Sequence, residues 1–149
     1  MLGLDTNILV YFEGINGVER RDEAQAIVGS LRPAGLLIPA QGLGEFYRVA
    51  TGKAGWPPAE AVDALPRWSQ VGRVQPTTEQ IVIEAAAFSM IHHFQIWDAI
   101  ILCAAAEGGC DMLLSEDMQH GFRYRGVTIV NPFAETPHPV LAATLERLK

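Results

Sequence analysis

An α/β fold with helices layered on both faces of a short-stranded, mainly parallel sheet is what this sequence predicts, and three observations carry that reading. Apolar runs of three or four residues, such as Leu36-Leu37-Ile38 and Met112-Leu113-Leu114, recur along the chain. They alternate with longer segments in which apolar residues fall at helical spacing. They also lack the apolar–polar alternation of a sheet with one wet face, so both faces are expected to be covered. The expectation is a three-layer α/β/α sandwich forming one domain over residues 1–149.

Leu2 to Asp5 reads as a first buried strand that feeds a helix from Thr6 to Phe12. Glu13 to Val18, with Gly14, Asn16 and Gly17, is loop. Glu19 to Leu31 follows as an amphipathic helix with Ala24, Ile27, Val28 and Leu31 on one side. Arg32-Pro33-Ala34-Gly35 ends it, and Leu36 to Ile38 is the second strand. Pro39 opens the next helix at the early position where its missing N–H costs nothing, and that helix runs to Gly52. A helix from about Ala59 to Ser69 contains Pro66, which is expected to kink or shorten it. Val71 to Gln75 is a third strand. Thr77 is expected to cap a helix reaching His92, with Gln80 completing a capping box and Ile81, Ala85, Phe88 and Ile91 on its buried side. Trp97 to Glu107 is the most apolar helix, ended by Gly108-Gly109. Met112 to Leu114 and Val127 to Val130 are the last strands, and Val140 to Lys149 is a closing helix.

The composition, 49% hydrophobic and 19% charged, is that of a folded chain. No apolar run approaches a membrane span, and no basic and apolar leader precedes Asp5, so a cytoplasmic protein without a membrane partner is expected. Cys103 and Cys110 have no Cys/His companions at metal-ligand spacing and read as buried small hydrophobes. A net charge of −6 argues against gripping nucleic acid by bulk electrostatics. Arginine nevertheless outnumbers lysine nine to two, and its planar fork suits phosphate oxygens.

Most of the 17 acids belong to polar helix faces or first turns. Four stand apart. Asp5 ends an apolar strand; Glu45 lies beside Leu43 and Phe46; Asp98 opens the most hydrophobic helix; Asp117 follows the strand Met112 to Leu114. Each has a local explanation as a helix cap, a first-turn acid, a solvent-facing residue or a turn residue. Two follow apolar strands and one begins a buried helix, so at least three are expected at one rim of the sheet, where open α/β folds bind ligands. At an effective dielectric near 20, two such charges about 4 Å apart repel by roughly 4 kcal/mol. A cluster of this kind takes up protons or binds a cation. Oxygen-only donors favour Mg²⁺ or Mn²⁺ over zinc, and the matching chemistry is phosphodiester hydrolysis.

Leu4-Asp5-Thr6-Asn7, Gly44-Glu45-Phe46-Tyr47, Trp97-Asp98-Ala99-Ile100-Ile101-Leu102 and Leu113-Leu114-Ser115-Glu116-Asp117-Met118-Gln119-His120-Gly121 resemble the PIN-domain nucleases, most of all the VapC-type toxins of toxin–antitoxin pairs. The resemblance runs from Leu2 to about Val130. It implies a PIN-like sandwich and a Mg²⁺- or Mn²⁺-dependent endoribonuclease. By motif, Asp5, Glu45, Asp98 and Asp117 become the catalytic, metal-holding acids, with Asp5 and Asp98 as the direct ligands. Thr6, Asn7 and Ser115 take the hydrogen-bonding, substrate-positioning places. The resemblance further implies an RNA substrate, a small VapB-like antitoxin as partner and a homodimer.

Other signals carry less. His92-His93 sit at a helix end, where histidine favours the dipole, and His120 follows Asp117 closely enough to approach the site. Arg123-Tyr124-Arg125 fits either a solvated hairpin or a phosphate- and base-touching stretch. Trp56, Trp68 and Trp97 read as core or interface rather than as base-stacking platforms. Two competing functions are a phosphoryl-transfer enzyme and a PIN-like binding domain without catalysis. A dehalogenase-type phosphatase wants Asp-x-Asp where Asn7 stands, and a phosphorylated receiver wants a late lysine, whereas the only lysines are Lys53 and Lys149.

Overall fold

The short apolar runs pair side by side. In the computed structural model, which describes residues 1–149, they form a six-stranded sheet. The strands are β1 (Leu2–Leu4), β2 (Leu36–Pro39), β3 (Arg73–Gln75), β4 (Met112–Leu114), β5 (Arg123–Tyr124) and β6 (Val127–Val130), in the spatial order β3-β2-β1-β4-β6-β5. Only the edge strand β5 runs antiparallel, joined to β6 by a tight turn through Arg125 and Gly126, both at positive φ. Seven helices connect and cover the strands: α1 (Thr6–Phe12), α2 (Val18–Leu31), α3 (Ala40–Thr51), α4 (Pro58–Val71), α5 (Glu79–His92), α6 (Ile96–Glu107) and α7 (Pro139–Arg147).

Alternate residues of each central strand serve two separate cores, which is why the strands read as unbroken apolar runs. Leu2, Leu4, Leu36, Ile38, Met112 and Leu114 face a core closed by α1 to α4 and α7. Leu37, Leu113, Val127 and Ile129 face the other, closed by α5 and α6. Gly3 lies on that second side. A Cβ there would stand 3.1 Å from Leu113 and 3.2 Å from Ala105, so its glycine lets α6 lie close on the sheet. No helix is long and apolar enough to cross a membrane.

Three local expectations are corrected. Pro66 does not shorten α4, which continues to Val71. Its ring and Val62, whose carbonyl loses its helical partner, both lie on the exposed side, where water can take over the bond. The cap of α5 is Thr78 rather than Thr77, its hydroxyl accepting from Ile81 N at 3.2 Å. Ile91 is exposed while Ile81, Ala85 and Phe88 are buried. At about 100° per residue it sits some 80° round the helix from Ile81.

Candidate active site

The acids meet where the chain changes direction across the sheet. From β1 the chain builds outward through β2 and β3 and then returns to add β4 on the other side of β1. That leaves a crevice beyond the ends of β1 and β4, the place where open α/β sheets bind ligands. Leu4 and Leu114 are register partners, so the next residues out, Asp5 and Ser115, emerge side by side.

Asp5 does two jobs with two oxygens. Oδ1 accepts from Thr6 N at 2.8 Å, capping α1, while Oδ2 accepts from Ser115 Oγ at 2.7 Å and Asn7 Nδ2 at 3.3 Å. The residue is 5% exposed. Burial pushes its carboxyl up to about 7; the bonds from Ser115 and Thr6 oppose this, and the charges of Asp98 and Glu45 reinforce it.

The other three acids arrive from separate elements. Glu45, on α3, accepts from the Thr6 hydroxyl through Oε2 and from Gln41 Nε2 at 3.3 Å through Oε1. Asp98, in the first turn of α6, is half-buried and accepts no side-chain hydrogen bond. Burial first, then the charges of Glu45 and Asp117, raise its carboxyl above the ordinary value. Asp117, beyond β4, is exposed and accepts from Asn7 Nδ2 at 3.1 Å. Asn7 thus bridges Asp5 and Asp117, and its Oδ1 accepts from Glu116 N. Ser115 is fully buried, its hydroxyl donating to Asp5 and accepting from Met118 N at 3.1 Å.

Asp5, Glu45, Asp98 and Asp117, with Thr6 and Asn7, all line one cavity of about 280 Å³. A larger cavity, about 610 Å³, lies apart at the start of α5 and touches none of the four. Around the smaller cavity the acids stand spread rather than closed. No three His, Cys, Asp or Glu side chains are drawn together at metal-binding spacing. The chemistry of the donors nonetheless suits a hard divalent cation: every donor is oxygen, neighbouring carboxylates raise the proton affinity of Asp5 and of Asp98, and Arg48, which also lines the cavity, pairs with none of them.

The lesser candidates fall elsewhere. His92 packs against Phe88 and Phe122, and His93 ends α5 in the left-handed conformation; both line a cavity of about 250 Å³ that also reaches Asp98 and Asp117. His120 turns away, its Nδ1 accepting from Asn131 N at 2.8 Å. Tyr124 and Arg125 both bond Glu84 in the hairpin at the sheet edge. Trp68 is core, Trp56 packs edge-on against Phe46, and Trp97, expected in the core or an interface, is 56% exposed beside the site. Cys103 and Cys110 are buried and free, their thiols pushed up by burial to about 12 and about 11.

A supporting cluster beside the site joins residues far apart in the chain. Tyr11 donates to Glu116 Oε1 at 2.9 Å, and the Arg20 guanidinium lies over the Phe133 ring, 3.6 Å from Glu116 Oε2. Gln41 was also legible in principle, because it sits four residues before Glu45 on the same face of α3.

A model of the PIN domain family matches residues 3–123. No curated protein sequence matches the chain. Among solved structures, Mycobacterium tuberculosis VapC20, a toxin that cleaves the sarcin-ricin loop, is 22% identical, aligning over 78% of this chain and 92% of its own with a TM-score of 0.66. FitAcB from Neisseria gonorrhoeae is 18% identical over 89% of this chain and 99% of its own, TM-score 0.63. FitAB bound to a DNA fragment is 17% identical over 93% and 99%, TM-score 0.64. At these identities the likeness is one of fold.

Proposed function

The chain belongs to the PIN domain family, and from that premise we propose that residues 1–149 form a single nuclease domain, a Mg²⁺- or Mn²⁺-dependent endoribonuclease acting as the toxin of a VapBC-type pair. One observation carries the reading: four carboxylates from four separate stretches line one cavity at the β1–β4 crevice, the most buried of them pushed up to about 7. The likeness in fold to VapC20, a sarcin-ricin loop cleaving toxin, supports the choice of RNA and of the toxin role. A small antitoxin as partner, a homodimer and a cytoplasmic location complete the proposal.

Asp5 and Asp98 would hold the cation, with Glu45 and Asp117 completing its surroundings directly or through water. When bound, the ion lowers the pKa of a water and stabilises charge developing on a phosphoryl oxygen. The chain's part is preorganisation. Ser115 and the Thr6 N–H fix the two oxygens of Asp5, the Thr6 hydroxyl fixes Glu45, and Asn7 sets the spacing between Asp5 and Asp117. A site held this way needs little rearrangement at the moment of reaction.

The test is incubation of a mixed RNA pool with the protein in Mg²⁺ or Mn²⁺, against EDTA and an Asp98→Asn control. The reading expects internal cleavage that both controls abolish. Intact RNA in every lane, or cleavage indifferent to EDTA, would contradict it.

A further inference from the structure

The acid cavity adjoins a second cleft of about 400 Å³ lined by Gln41, Gly44, Glu45, Arg48 and Trp97, and Glu45 and Arg48 belong to both. Trp97 directly precedes Asp98, yet its side chain is 56% exposed. Large aromatic residues are ordinarily well buried, so an open one beside a site is informative. Its backbone is anchored: the Trp97 carbonyl accepts from Gln41 Nε2 at 3.0 Å, and the same amide reaches Glu45. Gly44 lines the cleft, and nothing lies within 4 Å of where its Cβ would stand. On α3, Arg48 is exposed and unpaired; Arg20, Arg21, Arg67 and Arg125 have acidic partners, and the other arginines without one, Arg32, Arg73, Arg123 and Arg147, line neither cavity. In a chain of net charge −6 a free guanidinium beside four acids offers a polyanion one attractive point of approach.

We propose that this cleft seats a nucleotide adjoining the scissile bond, with the Arg48 guanidinium on its phosphate and the Trp97 indole stacked on its base. The inference rests on the ribonuclease reading and narrows it. Stacking on Trp97 requires an unpaired base, so the substrate here is single-stranded RNA rather than a continuous duplex. Base–aromatic stacking tolerates any base, so this contact gives affinity for open strands without sequence preference.

The test uses a short, fluorescently labelled single-stranded RNA oligonucleotide in EDTA, where nothing is cut, with binding followed by anisotropy across a salt series. Trp97→Ala is expected to weaken binding about tenfold and Trp97→Phe to restore most of it. Arg48→Ala is expected to flatten the slope of log affinity against log salt by about 0.7, the share of one single-strand phosphate, while Arg48→Lys keeps it. Both side chains are exposed, and a thermal melt of each variant confirms the fold. Wild-type affinity and slope in both alanine variants would overturn the proposal, and would be the result if the cleft served a protein instead. A wild-type chain that binds no oligonucleotide would overturn it too. Cleavage of the RNA pool by the wild type is scored separately, so the ribonuclease reading stands or falls on its own.

Discussion

Ser115 Oγ donates to Asp5 Oδ2 at 2.7 Å across the ends of two adjacent parallel strands, both residues buried. Leu4 and Leu114 pair in register, so the contact follows from the sheet itself. Ser115→Ala removes this donor and also strands Met118 N, which Ser115 accepts. The expected cost is about 1–3 kcal/mol of stability in a denaturant melt. Because the bond lowers the Asp5 carboxyl, its loss is expected to move that group further above 7, readable by carboxyl NMR titration of the metal-free protein.

Asp5 itself should be a liability without a cation. Its folded pKa, about 7, lies above the unfolded value near 3.9. The stability this group allows is therefore fully present below about pH 4 and lost as pH rises to about 7, after which the loss is constant. Asp5→Asn removes the charge. The variant is expected to gain melting temperature over the metal-free wild type at pH 8 and to gain less at pH 4. An equal difference at both pH values would contradict the burial account.

Asn7 supplies both donors that separate Asp5 from Asp117. Asn7→Asp keeps the shape, exchanges two donors for acceptors and adds a fifth carboxylate. RNA cleavage at neutral pH is expected to fall about tenfold or more, as for the loss of charge-assisted hydrogen bonds, one of them partly buried. Cleavage assays at matched metal concentration check this.

Pro66 tests the fold apart from the site. It lies on the exposed side of α4, and the helix passes through it to Val71. Pro66→Ala returns an N–H to the helix and is expected to stabilise the protein by up to about 3 kcal/mol, with the far-ultraviolet helix signal unchanged or slightly stronger. A destabilised variant would mean that the proline is relieving strain elsewhere.

Much of this was legible in the residues. The strands from Leu36, Met112 and Val127 announced themselves because each feeds two cores, leaving no polar alternation. That Asp5, Asp98 and Asp117 meet follows from their place after a strand or at the start of an apolar helix, whereas Glu45, inside a helix, joins them only through the family resemblance; the switch in strand order explains why the four line one cavity. What stayed hidden was non-local. Nothing near Pro66 says which way its ring faces, and a threonine pair gives no local reason to prefer Thr78 over Thr77 as the cap. Trp97 reads as core or interface, and nothing next to it in sequence announces an exposed indole in a cleft shared with Gln41, Gly44, Glu45 and Arg48, some 50 residues earlier in the chain. The bond from Tyr11 to Glu116 spans 105 residues and has no sequence signature.

The central claim is that the four acids share one divalent ion at the β1–β4 crevice. Its most direct measurement is a Mn²⁺ titration of the protein followed by electron paramagnetic resonance, repeated for Asp5→Asn and Asp98→Asn. The account predicts a saturable site in the wild type that either substitution removes, while both variants keep the native circular dichroism spectrum. A wild-type chain that leaves Mn²⁺ free in solution, or variants that bind it as the wild type does, would contradict it.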